Sequence, residues 1–357
     1  MSGTAVPSIW RAVLDPAVAS IAGWRGDPPL DAARRFASFV GAPLAAELLA
    51  PLSAALGTKL IDAAAARDGL LLNRLAGRSQ RAAVARLHEA GIAAVCLKGF
   101  ALAHTLYADP DLRTVGDLDL LVARADLGRA IACLEAGGFV FEALPTPAWG
   151  FISEASFMPM VSADGICSVD LHVEPDCYPA YRALDAARVF AAAREVVVGE
   201  TAIRVPSPAH SLLLALTNAA KDKFGPLSVR KLVDASFLAR AASAADWDEV
   251  RRLAASGGFL GPARIALALL VRLGLPADTI PADLRLPPRG LRAPVFARLV
   301  RDHEAMFPAP VPGTCVLVRE LTVCTEPRVA LVNALRRLHG LVRPRSGLPE
   351  GYRPLGK

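Results

Sequence analysis

Three aspartates occupy positions where aspartate is costly. Asp117 and Asp119 alternate with leucine in Gly116-Asp117-Leu118-Asp119-Leu120-Leu121-Val122, and Asp170 lies in Val169-Asp170-Leu171-His172. Both stretches read as apolar β-strands. Side chains alternate faces along a strand at about 3.3 Å per residue, so Asp117 and Asp119 share one face while Leu118 and Leu120 turn to the core. Like charges this close repel, and each raises the other's pKa unless a cation neutralises them. Magnesium does so well, because it takes oxygen ligands and leaves positions for substrate phosphates. A third carboxylate from a neighbouring strand would let the site hold two ions roughly 4 Å apart, the geometry suited to in-line phosphoryl displacement. An isolated Asp-x-Asp is equally compatible with a solvated strand edge. What distinguishes this one is its company: a strand over 92–97 running into Lys98-Gly99, a short helix, and the later apolar-Asp-apolar strand.

Other residues could join that chemistry or have plainer roles. Gly99 permits close backbone approach where a strand gives way to a helix, and amides at a helix start favour anions. Lys98 beside it could meet a phosphate as a point charge, or be a solvated lysine at a turn. Arg113 stands just ahead of the Asp-x-Asp strand, where it could clamp a phosphate or pair with Asp117 or Asp119. His172 shares a strand face with Asp170 and could orient it, contact a phosphate, move a proton or serve structurally. Glu174 extends that face as a weaker ligand candidate. Tyr107 reads as a packing residue. Lys221 and Lys223 close a helix, where cations complement the dipole, and Asp234 has Arg230 and Lys231 within helical reach.

The elements that must position these residues follow from periodicity and punctuation. Helices are expected over 31–40, 43–56, 58–76 and 79–90, then strands over 92–97, 116–122, 138–143, 155–162 and 166–174. Ala163-Asp164-Gly165 should turn the last two strands into a hairpin, and Gly199-Glu200 should join 195–198 to 202–205 in another at the unit's edge. Helices are expected near 99–108, 125–136 and 181–193, then over 207–222, 228–241, 246–255 and 258–274. Ser207 should cap the first of the last four, and Ala245 or Asp246 the third. This gives four units: a helical region over 1–90, a catalytic α+β unit over 91–206, a helical unit over 207–275, and a helix-and-loop extension over 276–357. The tail from Arg345 is expected to be mobile.

Composition narrows the class. A chain of 357 residues, 53% apolar, can bury one large core or two modest ones. It has no uninterrupted apolar run of membrane-spanning length, which argues for a soluble protein without a membrane partner. Residues 1–10 lack the charged start and apolar run of a signal peptide, so a cytoplasmic location is expected. The six cysteines form no Cys-x-x-Cys pair and sit among apolar neighbours, which reads as buried thiols. Net charge is +6, yet only six of the 40 basic residues are lysine, and aromatic content is 6%. No basic run interleaves with aromatics, which argues against a long nucleic acid as partner.

Leu97-Lys98-Gly99, Tyr107, Arg113, Asp117-Leu118-Asp119-Leu120-Leu121-Val122 and Asp170-Leu171-His172 together resemble an uncharacterised bacterial nucleotidyltransferase family of the DNA polymerase β-like superfamily. The resemblance extends, more loosely, to about Gly274, roughly half the chain. The superfamily's usual Gly-Ser or Gly-Gly turn is Lys98-Gly99-Phe100 here, a form this particular family shows. The resemblance implies an α+β fold, a nucleotidyltransferase-like mixed sheet with flanking helices, with further helical regions at both ends. It implies Mg²⁺, two ions, on Asp117, Asp119 and Asp170, with Asp170 on the ion that activates an acceptor hydroxyl. It implies a nucleoside triphosphate donor, ATP among the choices, placed by Lys98, Gly99, Arg113 and His172. It further implies that the 207–275 helices face the cleft and bring Lys221 and Lys231 to the nucleotide or acceptor. A small molecule, a protein or a tailored peptide would fit as acceptor. Two other readings remain open at this level: glycosyl transfer from a nucleotide sugar on the same fold, and a non-catalytic binding or antitoxin-like module.

Overall fold

The computed structural model describes residues 9–15, 27–141, 159–181 and 183–342. The chain begins with helices α1 (Ile9–Leu14), α2 (Leu30–Val40), α3 (Ala42–Leu48) and α4 (Ala50–Leu56). The single helix expected over 43–56 is broken at Leu49, because Pro51 lacks an N–H and its ring crowds the preceding turn. The two helices expected over 58–76 and 79–90 are instead one, α5 (Ala63–Glu89), opened by Asp62, whose carboxylate accepts from the Ala64 and Ala65 amides at 2.7 and 2.9 Å. Gly77 does not interrupt it, since glycine inside a helix costs only about 1 kcal/mol. Gly69 permits close packing of α3: a Cβ there would lie 2.8 Å from two ring carbons of Pro43.

The sheet follows. Strand β1 (Ala94–Cys96) leads into α6 (Lys98–Leu106), and β2 (Asp117–Val122) into α7 (Leu127–Ala136). Next come β3 (Val140–Phe141), β4 (Met160–Val161) and β5 (Ser168–His172), then α8 (Ala186–Ala192) and the hairpin β6 (Arg194–Val198) and β7 (Thr201–Val205). Residues 142–158 of the expected strands over 138–143 and 155–162 lie outside the described residues. The expected helix over 181–193 starts later, at Ala186, where Asp185 accepts from the Arg188 amide at 2.8 Å. Strand order is β3-β4-β5-β2-β1-β7-β6, with β2/β5 and β1/β7 parallel and the other neighbours antiparallel. Both expected hairpins form, β4–β5 and β6–β7, and β6 is an edge strand.

The remaining helices are α9 (Pro208–Lys221), α10 (Val229–Ala241), α11 (Ala244–Ser256), α12 (Leu260–Leu273), α13 (Arg292–Glu304), α14 (Gly313–Arg319) and α15 (Pro327–Val342). Ser207 caps α9 as expected. The α11 cap is Ser243 rather than Ala245 or Asp246: its hydroxyl accepts from the Asp246 amide while Asp246 accepts in return, a reciprocal box that the sequence reading missed. The last part of the chain is more helical than expected, and the tail from Arg345 lies outside the described residues.

Two apolar clusters divide at the sheet. Alternation sends Cys96, Leu118, Leu120, Val169 and Leu171 to one face, where α5, α6 and α7 cover them. Val95 and Leu121 point the other way, into a larger cluster built mainly by α9 to α13 with α1 and α2. Asp117, Asp119, Asp170 and His172 have the same parity as Leu121, so they stand on the face covered by α9 to α13. The sheet thus turns its functional side chains towards α9 and α10.

Candidate active site

The register of β2 on β5 assembles the site. The strands run parallel with Asp119 opposite Asp170 and Leu121 opposite His172, so carboxylates far apart in sequence become cross-strand neighbours on one face. Ligand atoms of Asp119, Asp170 and His172 all lie within 4.8 Å of one another, a group that could hold a metal ion. Asp117, two residues earlier on the same face, is the exposed member at the start of β2 and lies outside that group.

Asp119 is 4% exposed and carries most of the contacts. Its Oδ1 accepts from Lys98 Nζ at 2.7 Å and lies 2.8 Å from His172 Nε2. Burial opposes its charge, but Lys98 and His172 outweigh burial and hold the carboxyl well below the usual range. Lys98 in turn stays protonated despite burial, because Asp119 and Asp176 face it. Asp170 is the opposite case. Its Oδ1 is buried without a hydrogen-bond partner, and burial, then Asp119 and Asp117, push its carboxyl up to about 6. Asp117 is raised as well, by burial first and Asp119 second. Such a set fits a divalent cation: a carboxylate already ionised, two more whose charge is disfavoured first by burial and then by the neighbouring carboxylates, and an orphaned oxygen at the centre.

Lys98 begins α6 with φ of +46°, a left-handed backbone rare for a residue with a Cβ. The twist brings its ammonium back over the strands, and pairing with Asp119 offsets a strain of order 1–3 kcal/mol. Gly99 follows because Arg113 crosses there: a Cβ on Gly99 would lie 2.9 Å from Arg113 Nη1.

Arg113 does not pair with Asp117 or Asp119. Its Nε and Nη2 donate to the two oxygens of Asp234 on α10, at 3.0 and 2.6 Å, in a fork that is buried on both sides. Tyr107, expected only to pack, also donates its hydroxyl to Asp234, at 2.7 Å, while its ring meets Phe237 edge-on. Asp234 is therefore the partner of Arg113 and Tyr107, not of Lys231 or Arg230. His172 orients Asp119 rather than Asp170. Glu174 is not turned to the carboxylates: its Oε2 accepts from the Ala186 amide at the start of α8, at 2.8 Å. Lys221 pairs with Asp176 and Lys231 with Asp222, while Lys223 lies 3.4 Å from Glu320 and over the Tyr178 ring.

One cavity of about 390 Å³ lies between the sheet and α9–α10, within the size range of small-molecule sites. Lys98, Gly99, Arg113, Asp117, Asp119, Asp170, His172, Lys221 and Lys231 all reach it. Asp176 and Arg230 do too; the sequence reading assigned Asp176 no role and Arg230 only that of a helical neighbour of Asp234. Asp176 follows β5 in a Pro175-Asp176 turn with no periodic signal. Arg230 adjoins Lys231 on α10, and only the roof's orientation distinguishes the two. The cysteines are free thiols, with Cys96, Cys167, Cys177 and Cys324 buried, and none of the six lines this cavity. Among the described residues no helix is long and apolar enough to cross a membrane.

A mixed sheet flanked by many helices, with acidic residues on adjacent parallel strands beneath a helical roof, is a nucleotidyltransferase-like α+β fold. Residues 63–274, more than half of the 357, match the family described as uncharacterised nucleotidyltransferase, and the chain belongs to that family. The matched segment starts at the first residue of α5 and ends at the glycine after α12. No curated protein matches the chain.

Proposed function

We propose that the chain is a Mg²⁺-dependent nucleotidyltransferase that moves a nucleoside monophosphate from a triphosphate to a hydroxyl or phosphate of an acceptor. The observation that carries this reading is Asp170 Oδ1, buried and unpartnered beside Asp119 and His172 within ligand distance of one another. An orphaned buried carboxylate oxygen is destabilising unless a proton or a cation satisfies it.

Asp117, Asp119 and Asp170 would hold the ions, which supply charge neutralisation of the phosphates and acidify the acceptor hydroxyl. The chain's own residues do the rest. His172 Nε2 fixes the orientation of Asp119. Asp170, ionised once a cation lies beside it, would take up the proton that the acceptor hydroxyl gives up. Lys98, with Lys221 and Lys231 from the roof, would neutralise the triphosphate, and the roof would limit water. Arg113 acts at one remove in this scheme. Its fork is used by Asp234, so it holds α10 against the sheet beside Gly99 instead of clamping phosphate.

The test is incubation with labelled nucleoside triphosphates, Mg²⁺ and a metabolite, protein or peptide pool, followed by intact-mass analysis. A nucleoside monophosphate increment on an acceptor, lost in Asp119→Asn and Asp170→Asn, is expected. A sugar increment from a nucleotide sugar would replace the proposed donor. No turnover of any nucleotide, with no divalent-cation binding by folded protein, would refute the enzyme reading.

A further inference from the structure

The cavity's cations are not equally available to a ligand. Lys98 is paired with Asp119, Lys221 with Asp176, Lys231 with Asp222, and Arg113 with Asp234. A ligand anion that recruits any of these must compete with a carboxylate already in place, so the exchange returns only the difference between two ion pairs. Arg230 differs. It stands on the first turn of α10 at the cavity wall, half-buried, and its one hydrogen bond among the described residues is from Nη1 to the Thr114 carbonyl at 2.7 Å. Among the described residues it forms no salt bridge. Its guanidinium has five donors, and among the described residues the Thr114 carbonyl engages one of its three nitrogens.

We infer that Arg230 is the principal anion contact of the cavity, and that it takes the phosphate chain of the ligand through the fork left free beside Thr114. Its natural ligand, the phosphates of a nucleoside triphosphate, rests on the nucleotidyltransferase reading; the anion site itself rests on the charge arrangement. Three observations support it. The site is built: the Thr114 carbonyl anchors one end of the guanidinium, so less rotamer entropy is lost on binding. The charge is only partly relieved: burial first, and then Arg113, work against it and outweigh the more distant Asp234 and Asp117, neither of which pairs with it, so an incoming anion would be favoured. The position is right: Arg230 lines the same cavity as Asp117, Asp119 and Asp170, and the Thr114 carbonyl it holds lies three residues before Asp117, so it stands at the end of the roof where phosphates would bridge cation and protein. The inference ranks the roof residues differently from their sequence, in which Lys221 and Lys231 are the expected pair. Lysines already committed to Asp176 and Asp222 contribute less than the arginine between them that has no carboxylate.

The experiment is calorimetric titration of the full chain with inorganic tripolyphosphate, with and without Mg²⁺, for the wild type and for Arg230→Gln, Lys221→Gln and Lys231→Gln. Expected is a loss of affinity of about tenfold or more for Arg230→Gln, against about threefold or less for either lysine variant. Wild-type-like affinity in Arg230→Gln, or a larger loss in either lysine variant, overturns the inference. A measurement on the unmutated protein keeps the question decidable if Arg230→Gln does not fold: phenylglyoxal modification mapped by mass spectrometry. Tripolyphosphate should protect Arg230 at least fivefold while Arg113, sealed by Asp234, reacts slowly throughout; no protection of Arg230 refutes the assignment. The two readings fail separately. Arg230-dependent tripolyphosphate binding in a protein that turns over no nucleotide would keep the anion site and remove the transferase. Metal-dependent transfer with tripolyphosphate binding indifferent to Arg230 would do the reverse.

Discussion

Asp234→Asn should be among the most destabilising single substitutions available in this chain, although Asp234 touches none of the carboxylates on the sheet. The Asp234 side chain is buried, as is that of Arg113, and it accepts three hydrogen bonds: two from the Arg113 fork at 3.0 and 2.6 Å and one from Tyr107 at 2.7 Å. Removing its charge leaves a buried guanidinium without a counterion, and breaking a buried pair from one side costs about 3–5 kcal/mol. That loss is a large share of the roughly 5–15 kcal/mol that holds a typical domain together. Arg113→Met should cost a similar amount by stranding Asp234. The double variant Arg113→Met/Asp234→Leu should recover much of it, because the desolvation penalty disappears with both charges. Urea unfolding followed by far-UV circular dichroism measures all three together with Asp234→Leu, the single that closes the cycle with Arg113→Met, and that cycle should show a coupling of at least about 2 kcal/mol. Additive effects, or single losses below about 1 kcal/mol, would refute the claim that Arg113 is structural. If Arg113→Met instead left stability intact and weakened tripolyphosphate binding tenfold, the arginine would belong to the ligand after all.

Two further outcomes test the site more locally. Gly99→Ala should destabilise by about 1–3 kcal/mol and loosen the Arg113 fork, since its Cβ would lie 2.9 Å from a nitrogen that Asp234 holds in place; an unchanged urea midpoint would show that Arg113 can give way. For pH, Asp170 holds its proton more tightly folded, near 6, than in a free chain, so its contribution is fully present below about pH 4 and is lost as pH rises through 6. In chelator, Asp170→Asn should therefore gain stability relative to the wild type as pH rises from 4 to 7; a constant difference between the two across that range would exclude the raised carboxyl.

Much of the site was readable because strand parity is a local property. Asp117-Leu118-Asp119-Leu120 fixes which side chains share a face once the segment is a strand, and the apolar residues around Asp170 do the same for His172. Helix limits were less readable where two local signals compete. Pro51 broke a helix that apolar spacing would continue, and Gly77 failed to break one because a single glycine is a small penalty in a helix of 27 residues. The partners of charged residues were not readable at all. Arg113 was expected to clamp a phosphate or to pair with Asp117 or Asp119, four and six residues away, and it meets Asp234, 121 residues away.

By itself the sequence determined the alternation that puts three aspartates on strand faces, the strand-to-helix turn at Lys98-Gly99, and a family pattern that spans both. Those depend on neighbours along the chain and on backbone geometry, which a single sequence specifies. The tertiary structure alone decided the parallel register that sets Asp119 beside Asp170, the left-handed turn that brings Lys98 over Asp119, and the orphaning of Asp170 Oδ1. It also decided which cations in the cavity are already neutralised and which one is not. Charge pairing acts through space and is settled only when helices from distant parts of the chain close over the sheet. Arg230 and Lys231 are adjacent in sequence, and only the fold gives one of them a carboxylate.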